Sequence, residues 1–305
     1  MLIVTNDDDD PEDTGSTLPR RQLGRLLRDA RTAAGLSLES SARLMDWGKA
    51  TLSRLENGKT GKVRPRDLQA LAELYMVSAD DLAAWQELAA QAPVRSWLRT
   101  YSDVLATKFN TYVELESAAS ELANFQPLIF PGLLQTHAYA DAMNRSAEPR
   151  ISNEDLDRLA AVRTRRQHLI TRARNPTRLV SVIHENVTRT VVGGPELMAA
   201  QLRHVADLST RENIEVRLLP YHAGFPTGRV HAPFIVVTFP KDSQGKPVEP
   251  SVVYAENFAG DTVLEKRDDV QRFRKAFHTL LGATLDAGLT RSRLREIARS
   301  YDSER

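Results

Sequence analysis

The sequence predicts a mainly α protein with an α+β second domain. Its 305 residues are about twice the length of a typical domain, so two folded units are expected. Apolar residues recur at helical spacing through the first third of the chain, whereas four short β-like runs follow only after residue 177. We therefore divide the chain into a tail (1–17), a five-helix domain (18–91) and a larger helical domain that contains a small β-sheet (92–305).

The composition excludes several classes of protein. Hydrophobic residues make up 41% of the chain and charged residues 27%, which is typical of a soluble globular protein. The absence of cysteine excludes disulfides, thiolate metal sites and cysteine nucleophiles. Residues 1–13 lack the basic start and apolar run of a signal peptide, and no later apolar run approaches about 18 residues. We expect a cytoplasmic protein with no membrane partner.

Charge is distributed unevenly, although the formal net charge is only +1. Residues 1–17 contain six acidic and no basic residues, a composition that predicts a disordered acidic tail. Residues 18–66 contain twelve basic and four acidic residues, a net charge of +8. A basic segment of this kind can bind the phosphate backbone of a nucleic acid, and a solvated charged surface is the alternative.

Turn and capping signals divide the basic segment and its continuation into five short helices. Apolar residues between these signals repeat every three or four positions, as expected for helices that bury one face. The signals are a C-cap at Gly35, an N-cap at Ser37 before a helix over 38–44, a stop at Gly58 after a helix over 49–57, a start at Pro65 and a capping box at Ser78 and Asp81. Two helices joined by a tight turn form a helix-turn-helix arrangement.

The strings GLSLESSA (35–42) and KATLSRLENGK (49–59) resemble the lambda-repressor-like helix-turn-helix family over about residues 20–90. The resemblance implies that the third helix enters the major groove of double-stranded DNA. The positions that match base-contacting side chains are Lys49, Ala50, Thr51 and Arg54. The positions that match phosphate contacts are Arg43, Asn57, Lys59, Lys62 and Arg64. The alternative is that these side chains only solubilise the surface.

The chain departs from the family pattern at two positions. Gly48 stands where the family has a Ser or Thr cap, and Leu38 stands where it has Gln.

The resemblance also implies an ion pair between Arg31, near the end of the first helix, and Glu56, near the end of the third. Two separate surface charges are the alternative.

The region after residue 91 alternates helices and strands. Strands are predicted over 178–184, 214–219, 234–239 and 252–255. Helical segments are predicted over 105–122, 153–172, 195–208, 270–285 and 291–301, and a loop that enters a further helix over 125–136.

Several strings in this region resemble the domain of unknown function that follows helix-turn-helix domains in many actinobacterial regulators, some of them described as antitoxin-like. They are PGLLQT (131–136), RTRRQ (163–167), NIEVRLLP (213–220), AG (223–224), PF (233–234) and VYAE (253–256). The resemblance implies a regulator that is commonly encoded beside a small partner protein.

No catalytic constellation is present in the sequence. The seven histidines are scattered without metal-ligand spacing, and no serine lies in a Gly-x-Ser-x-Gly elbow. Gly193 and Gly194 precede Pro195 and indicate a turn before a helix, because the Lys-Ser/Thr ending of a phosphate loop is missing. We expect no catalytic residue, no metal and no cofactor, and therefore not an enzyme.

One segment of the second domain is more apolar than a loop requires and is followed by closely spaced arginines. We predict a surface for a partner protein or ligand there, because arginines three residues apart share a helix face and can receive a carboxylate. Its members are Phe125, Phe130, Leu134, Gln135, Arg163, Arg166 and Gln167. The alternative is a packed corner of the core with solvated arginines.

These observations favour a sequence-specific transcriptional regulator that binds double-stranded DNA as a homodimer and receives a signal through its second domain, from a small partner protein or a small-molecule effector. The alternative is an antitoxin-like interaction protein whose large domain binds a small partner, with DNA binding serving autoregulation.

Overall fold

The computed structural model describes residues 18–60, 63–91, 107–241, 249–256 and 260–303, together with positions 101, 103, 105, 245 and 247. The described residues form two compact units, of which the first contains 18–91 and the second begins at Tyr101. The predicted acidic tail lies outside the described residues. Among the helices of the described part, none is long and apolar enough to span a bilayer.

The first unit consists of five helices, as predicted. Their bounds are α1 (Leu18–Ala33), α2 (Leu38–Leu44), α3 (Lys49–Glu56), α4 (Pro65–Tyr75) and α5 (Ala79–Gln91). Gly35 adopts the left-handed conformation that the turn after α1 requires, with φ at +72°. Ser37 caps α2 by accepting a hydrogen bond from the amide of Ser40. The leucines that the helical spacing predicts, among them Leu23, Leu52 and Leu68, form the core.

The second unit is an α+β domain, again as predicted. Its helices are α6 (Thr107–Ala118), α7 (His137–Ala147), α8 (Asn153–Thr171), α9 (Pro195–Leu208), α10 (Arg267–Gly282) and α11 (Ala287–Ser303). Its strands are β1 (Glu121–Gln126), β2 (Arg178–His184), β3 (Ile214–Leu219), β4 (Phe234–Thr238), β5 (Val252–Ala255) and β6 (Thr262–Leu264).

The six strands form one mixed sheet in the order β3-β2-β1-β4-β5-β6. Strands β1, β2 and β3 are parallel, and β4 runs antiparallel to β1. One face of the sheet buries Phe125, Val182 and Phe234 against Phe277 and Leu280 of α10.

The sequence missed β1, which lies inside the sheet between β2 and β4. We predicted a helical segment up to residue 122 and a loop from 125. The structure instead ends α6 at Ala118 and starts β1 at Glu121. Asn124 and Gln126 interrupt the apolar pattern of β1, although both are buried. The short strand β6 was missed as well.

Gly24 allows α1 and α3 to approach closely. A Cβ atom at this position would lie 2.5 Å from the carbonyl oxygen of Glu56 and 2.7 Å from that of Leu55. These are backbone atoms at the end of α3, so they cannot turn aside as a flexible side chain could. The glycine therefore determines how near α3 lies to the first helix.

We expect Gly24→Ala to lower the free energy of unfolding of the first unit by about 1–3 kcal/mol, because the two helices must move apart. The better helix propensity of alanine, about 1 kcal/mol, offsets only part of that cost. Urea unfolding followed by circular dichroism measures the change. Gly48→Ala is the control, since a Cβ atom there would lie 3.8 Å from Thr51 Oγ1, an ordinary contact distance. Equal stability of the two variants would contradict the close-approach argument.

Candidate functional site

Helix α3 has one buried and one exposed face. Leu52 and Leu55 point into the core of the first unit. The four predicted base-contacting residues lie on the opposite side or at the amino end of the helix and are all exposed: Lys49, Ala50, Thr51 and Arg54. The helix thus presents a continuous polar surface to solvent while its apolar residues fix it to the bundle.

The end of α3 is held by arginines of α1. Glu56 is buried, and its two carboxylate oxygens accept hydrogen bonds from Arg31 Nε at 2.6 Å and Arg31 Nη2 at 3.0 Å. Arg31 also donates through Nη1 to the carbonyl oxygen of Leu36, between α1 and α2. The hydrogen bond to Glu56 raises the pKa of Arg31, against the opposing effect of burial. The predicted ion pair is therefore present, and it ties three segments together.

Helix α2 is anchored separately. The hydroxyl groups of Ser41 and Tyr75 lie 2.5 Å apart in the interior and link α2 to α4. The tight turn that follows α2 places Asp46 in the left-handed region, with φ at 55°, and the amide of Trp47 donates to the carbonyl of Ala42. The helix-turn-helix geometry is thus fixed at both α2 and α3.

The amino end of α3 has no side-chain cap. Gly48 occupies the N-cap position, as the sequence indicates, and makes no side-chain hydrogen bond. Lys49, at the first position of the helix, lies 3.7 Å from a carboxylate oxygen of Glu39, and both side chains are largely exposed, at 64% and 77%. An ion pair this exposed to water is weak, so Lys49 can leave Glu39 for another anion at little cost in free energy.

Four of the predicted phosphate-contacting residues are exposed around this helix: Arg43, Asn57, Lys59 and Arg64. Asn57 also has partners within the chain, because its Oδ1 accepts from Arg28 Nη2 at 2.6 Å and its amide nitrogen donates to Ser53 Oγ at 3.3 Å. The prediction for Lys62 falls outside the described residues.

The predicted partner surface of the second unit is corrected by the structure. Phe125, Phe130 and Leu134 are buried and belong to the core. Phe125 packs against Phe234 of the adjacent strand, with ring centroids 5.8 Å apart, and Phe130 meets the edge of Tyr139. For these three residues the alternative of a packed core corner holds, because the segment is a strand end and a turn that are covered by helices and is not an exposed loop.

Arg166 receives its carboxylate from within the chain. Its Nε and Nη2 donate to the carboxylate oxygens of Glu116 in α6, at 2.7 and 2.9 Å, and both residues are buried. The guanidinium carbon lies 4.9 Å from the ring centre of Phe109 and 5.5 Å from that of Tyr112. Burial alone lowers the pKa of Arg166, but the charge and hydrogen bonds of Glu116 outweigh it and raise that pKa. Arg166 is not available to a partner carboxylate without losing this pair.

Among the described residues, the hydrogen-bond partners of Arg163 are neutral groups. Its Nη1 donates to Gln135 Oε1 at 2.5 Å and to the carbonyl oxygen of Gly132 at 3.3 Å. Gln135 in turn donates to the carbonyl of Phe130, and Gln167 donates to the carbonyl of Gln135. Burial, and secondly the charge of Arg166, lower the pKa of Arg163 to about 10, so the guanidinium stays charged at neutral pH. Gln135, Arg163 and Arg166 thus line one cavity, and Gln167 contacts Gln135 from behind that lining.

Two family models match the chain. A helix-turn-helix domain matches residues 22–85, and a domain of unknown function, DUF5753, matches residues 109–296. The second match covers more than half of the 305 residues. The chain belongs to the DUF5753 family. No curated protein matches it. The helix-turn-helix match indicates a DNA-binding regulator and agrees with the arrangement of α2 and α3.

Several residues of both units were missed by sequence reasoning. In the helix-turn-helix domain these are Gly24 and Arg28, which contact the end of α3. In the DUF5753 domain they are Glu116, the partner of Arg166, and the buried amides Asn124 and Gln126. The alternation of polar and apolar residues within Glu121–Gln126 indicates a strand, although the sequence prediction placed the end of a helix and the start of a loop there. Within the described part of the chain, no group of three or more potential metal ligands is found.

We expect Glu56→Gln to lower the free energy of unfolding of the helix-turn-helix domain by about 3–5 kcal/mol, because Arg31 would remain largely buried without its counter-ion. Thermal and urea unfolding measure the loss. Glu39→Gln is the matched control: its pair with Lys49 is exposed, so the expected change is within about 1 kcal/mol. An unchanged melting temperature for Glu56→Gln would show that the pair does not stabilise the fold.

Proposed function

We propose that this protein is a sequence-specific transcriptional regulator that binds double-stranded DNA through α3, in the manner of lambda-repressor-like proteins. One observation carries the proposal: α3 is fixed on its buried face and at its end by Glu56, while Lys49, Thr51 and Arg54 are exposed on its outer side. A rigid helix with a polar outer face can enter the major groove without further rearrangement.

The exposed side chains suit base recognition. Arg54 and Lys49 can donate to O6 and N7 of guanine, and Thr51 can form a hydrogen bond or contact a thymine methyl group, which Ala50 can also contact. Binding would exchange the exposed pair of Lys49 with Glu39 for a contact to the DNA. Since that pair contributes little in water, the exchange costs little.

The surroundings of α3 suit the DNA backbone. Arg43, Lys59 and Arg64 are exposed cations on the elements that flank the helix, and the uncapped amino end of α3 contributes a positive dipole. Asn57 would contact a phosphate by breaking the hydrogen bond from its side-chain nitrogen to Ser53 Oγ and donating to a phosphate oxygen instead. These contacts would position the helix and would not read sequence.

We further propose that the protein acts as a homodimer in the cytoplasm, that it is not an enzyme, and that the DUF5753 domain supplies dimerisation and receives a signal. A single helix-turn-helix unit contacts too few base pairs for useful specificity in a genome, so two copies on an inverted repeat are expected.

An antitoxin-like interaction protein is the second candidate. It is favoured by an apolar cavity at the carboxyl ends of β1, β2 and β3, whose mouth exposes Tyr221 (53%), Phe225 (71%) and Val230 (83%). Exposed apolar side chains grouped around a concave site are typical of surfaces that bind another protein. A small partner protein could insert an apolar side chain there, and DNA binding would then regulate the pair's own synthesis.

We expect Arg54→Ala and Lys49→Ala each to weaken binding to the selected operator by about 1–3 kcal/mol, with little effect on unrelated DNA. Lys59→Ala should weaken binding to all sequences alike and reduce the salt-dependence slope by about one. Selection of bound sequences followed by fluorescence anisotropy at several salt concentrations measures both effects. Arg165→Ala, at an exposed arginine of the second unit, is the control. Loss of only nonspecific affinity by Arg54→Ala would show that α3 is docked differently.

We expect light scattering at micromolar concentration to give the mass of two chains, and footprinting to show two half-sites about one helical turn apart. The reason is that dimerisation through the second unit aligns the two copies of α3. A mass of one chain together with a single half-site would rule out the homodimer. A mass of this chain plus a small second protein, lost on Phe225→Ser, would favour the interaction protein.

A further inference from the structure

The second unit contains a polar cavity between β1, α8 and the turn that follows β1. Its volume is about 70 Å³, room for about five or six water-sized groups. The polar residues that line it are Asn124, Gln126, Gln135, Arg163, Arg166 and Glu256. The cavity is distinct from the apolar one near Phe225 and has no part in the proposed DNA contacts.

Two amide side chains in this cavity have unused acceptors. Asn124 and Gln126 are two residues apart on β1 and therefore point to the same face of the sheet. They are only 4% and 5% exposed, and neither Asn124 Oδ1 nor Gln126 Oε1 has a hydrogen-bond partner. Leaving a buried acceptor unpaired is unfavourable. Two such oxygens on one face of the strand can accept hydrogen bonds from a donor that enters the cavity.

The cavity also contains a cation without a counter-ion. Arg166 is neutralised by Glu116, but in the described part of the chain no carboxylate forms an ion pair with Arg163. Arg163 is nevertheless only 6% exposed. A buried, charged guanidinium that is bound only by neutral oxygens can still accept an anion from a ligand.

Gly132 places no side chain against the two guanidinium groups. A Cβ atom on this residue would lie 3.5 Å from Nη1 and Nη2 of Arg166 and 3.8 Å from Nη1 of Arg163. These are ordinary contact distances, so an alanine would fit at this position and cover the two groups. The missing side chain keeps open the side of the cavity on which the arginines lie.

An acidic side chain, Glu256, also lines this cavity. Burial raises the pKa of its carboxyl group. An ammonium group placed beside the carboxylate would lower that pKa again. The cavity therefore offers one cation and three acceptor groups: two amide oxygens and a carboxylate.

We propose that this cavity binds a small free α-amino acid, with its carboxylate on Arg163 and its ammonium on Asn124, Gln126 and Glu256. The ammonium has three donors, and the carboxylate forms charge-assisted hydrogen bonds with a guanidinium. Glycine, alanine and serine, with five to seven non-hydrogen atoms, are of about the size that the cavity admits. Larger amino acids would not fit.

The test uses the full chain without DNA, so its result does not depend on the proposed DNA binding. The probes are glycine, L-alanine and L-serine, with propionate and ethylamine as analogues that lack the ammonium or the carboxylate. Isothermal titration and thermal unfolding measure their binding. We expect at least one amino acid to bind and to raise the melting temperature, and both analogues to bind at least about tenfold more weakly, because each lacks half of the contacts.

The variants test the assignment of residues. Arg163→Gln and Gly132→Ala should each raise the dissociation constant about tenfold or more, whereas Arg165→Gln, exposed on the same helix, should bind as the parent does. Gly132→Ala removes no hydrogen-bonding group, so it keeps the test valid if Arg163→Gln does not fold. The proposal is overturned if no amino acid binds the parent, if propionate binds as tightly as alanine, or if Gly132→Ala binds normally.

Discussion

A carboxylate that leaves water is stabilised by a cation placed beside it, and each unit of this protein contains one such buried pair that joins two helices. Glu56 in the first unit and Glu116 in the second are buried, and each is held by two hydrogen bonds from one arginine. The planar guanidinium fork matches the two carboxylate oxygens, which a lysine could not do. Because the partners come from different helices, each pair also fixes a helix–helix contact: α1 to α3 and α6 to α8.

The two buried arginines of α8, Arg163 and Arg166, differ in whether a carboxylate balances their charge. They lie three residues apart and share a helix face, but only Arg166 reaches a carboxylate. Its neighbour is surrounded by carbonyl oxygens and amides, so its charge is solvated by dipoles and not cancelled. Helix α8 therefore carries two buried cations: the charge of Arg166 is balanced by Glu116, whereas Arg163 has neutral partners and can still attract an anion.

Sequence reasoning succeeded where local signals dominate. Ser37 and Gly35 marked the ends of helices because capping depends on a few adjacent residues, and α9 begins at Pro195, as predicted. It failed where long-range contacts decide. Nothing in the local sequence shows that Gly24 will meet the backbone of α3, or that Phe125 will be covered by a neighbouring strand and a distant helix. Asn124 and Gln126 lowered the apparent strand character of β1, although tertiary contacts make it a strand.

The place of β1 in the sheet also has a consequence for how the chain folds during synthesis. Glu121 lies opposite Arg178 on one side and opposite Thr238 on the other, so one edge of β1 stays unpaired until more than a hundred further residues have been made. The core of the first unit needs no such distant partner, because its buried apolar residues lie between Leu23 and Trp85. Local contacts form quickly, whereas distant strand pairing is slow. The helix-turn-helix domain can therefore fold while the rest of the chain is still emerging, and until β4 has been made one edge of β1 is open to wrong pairing.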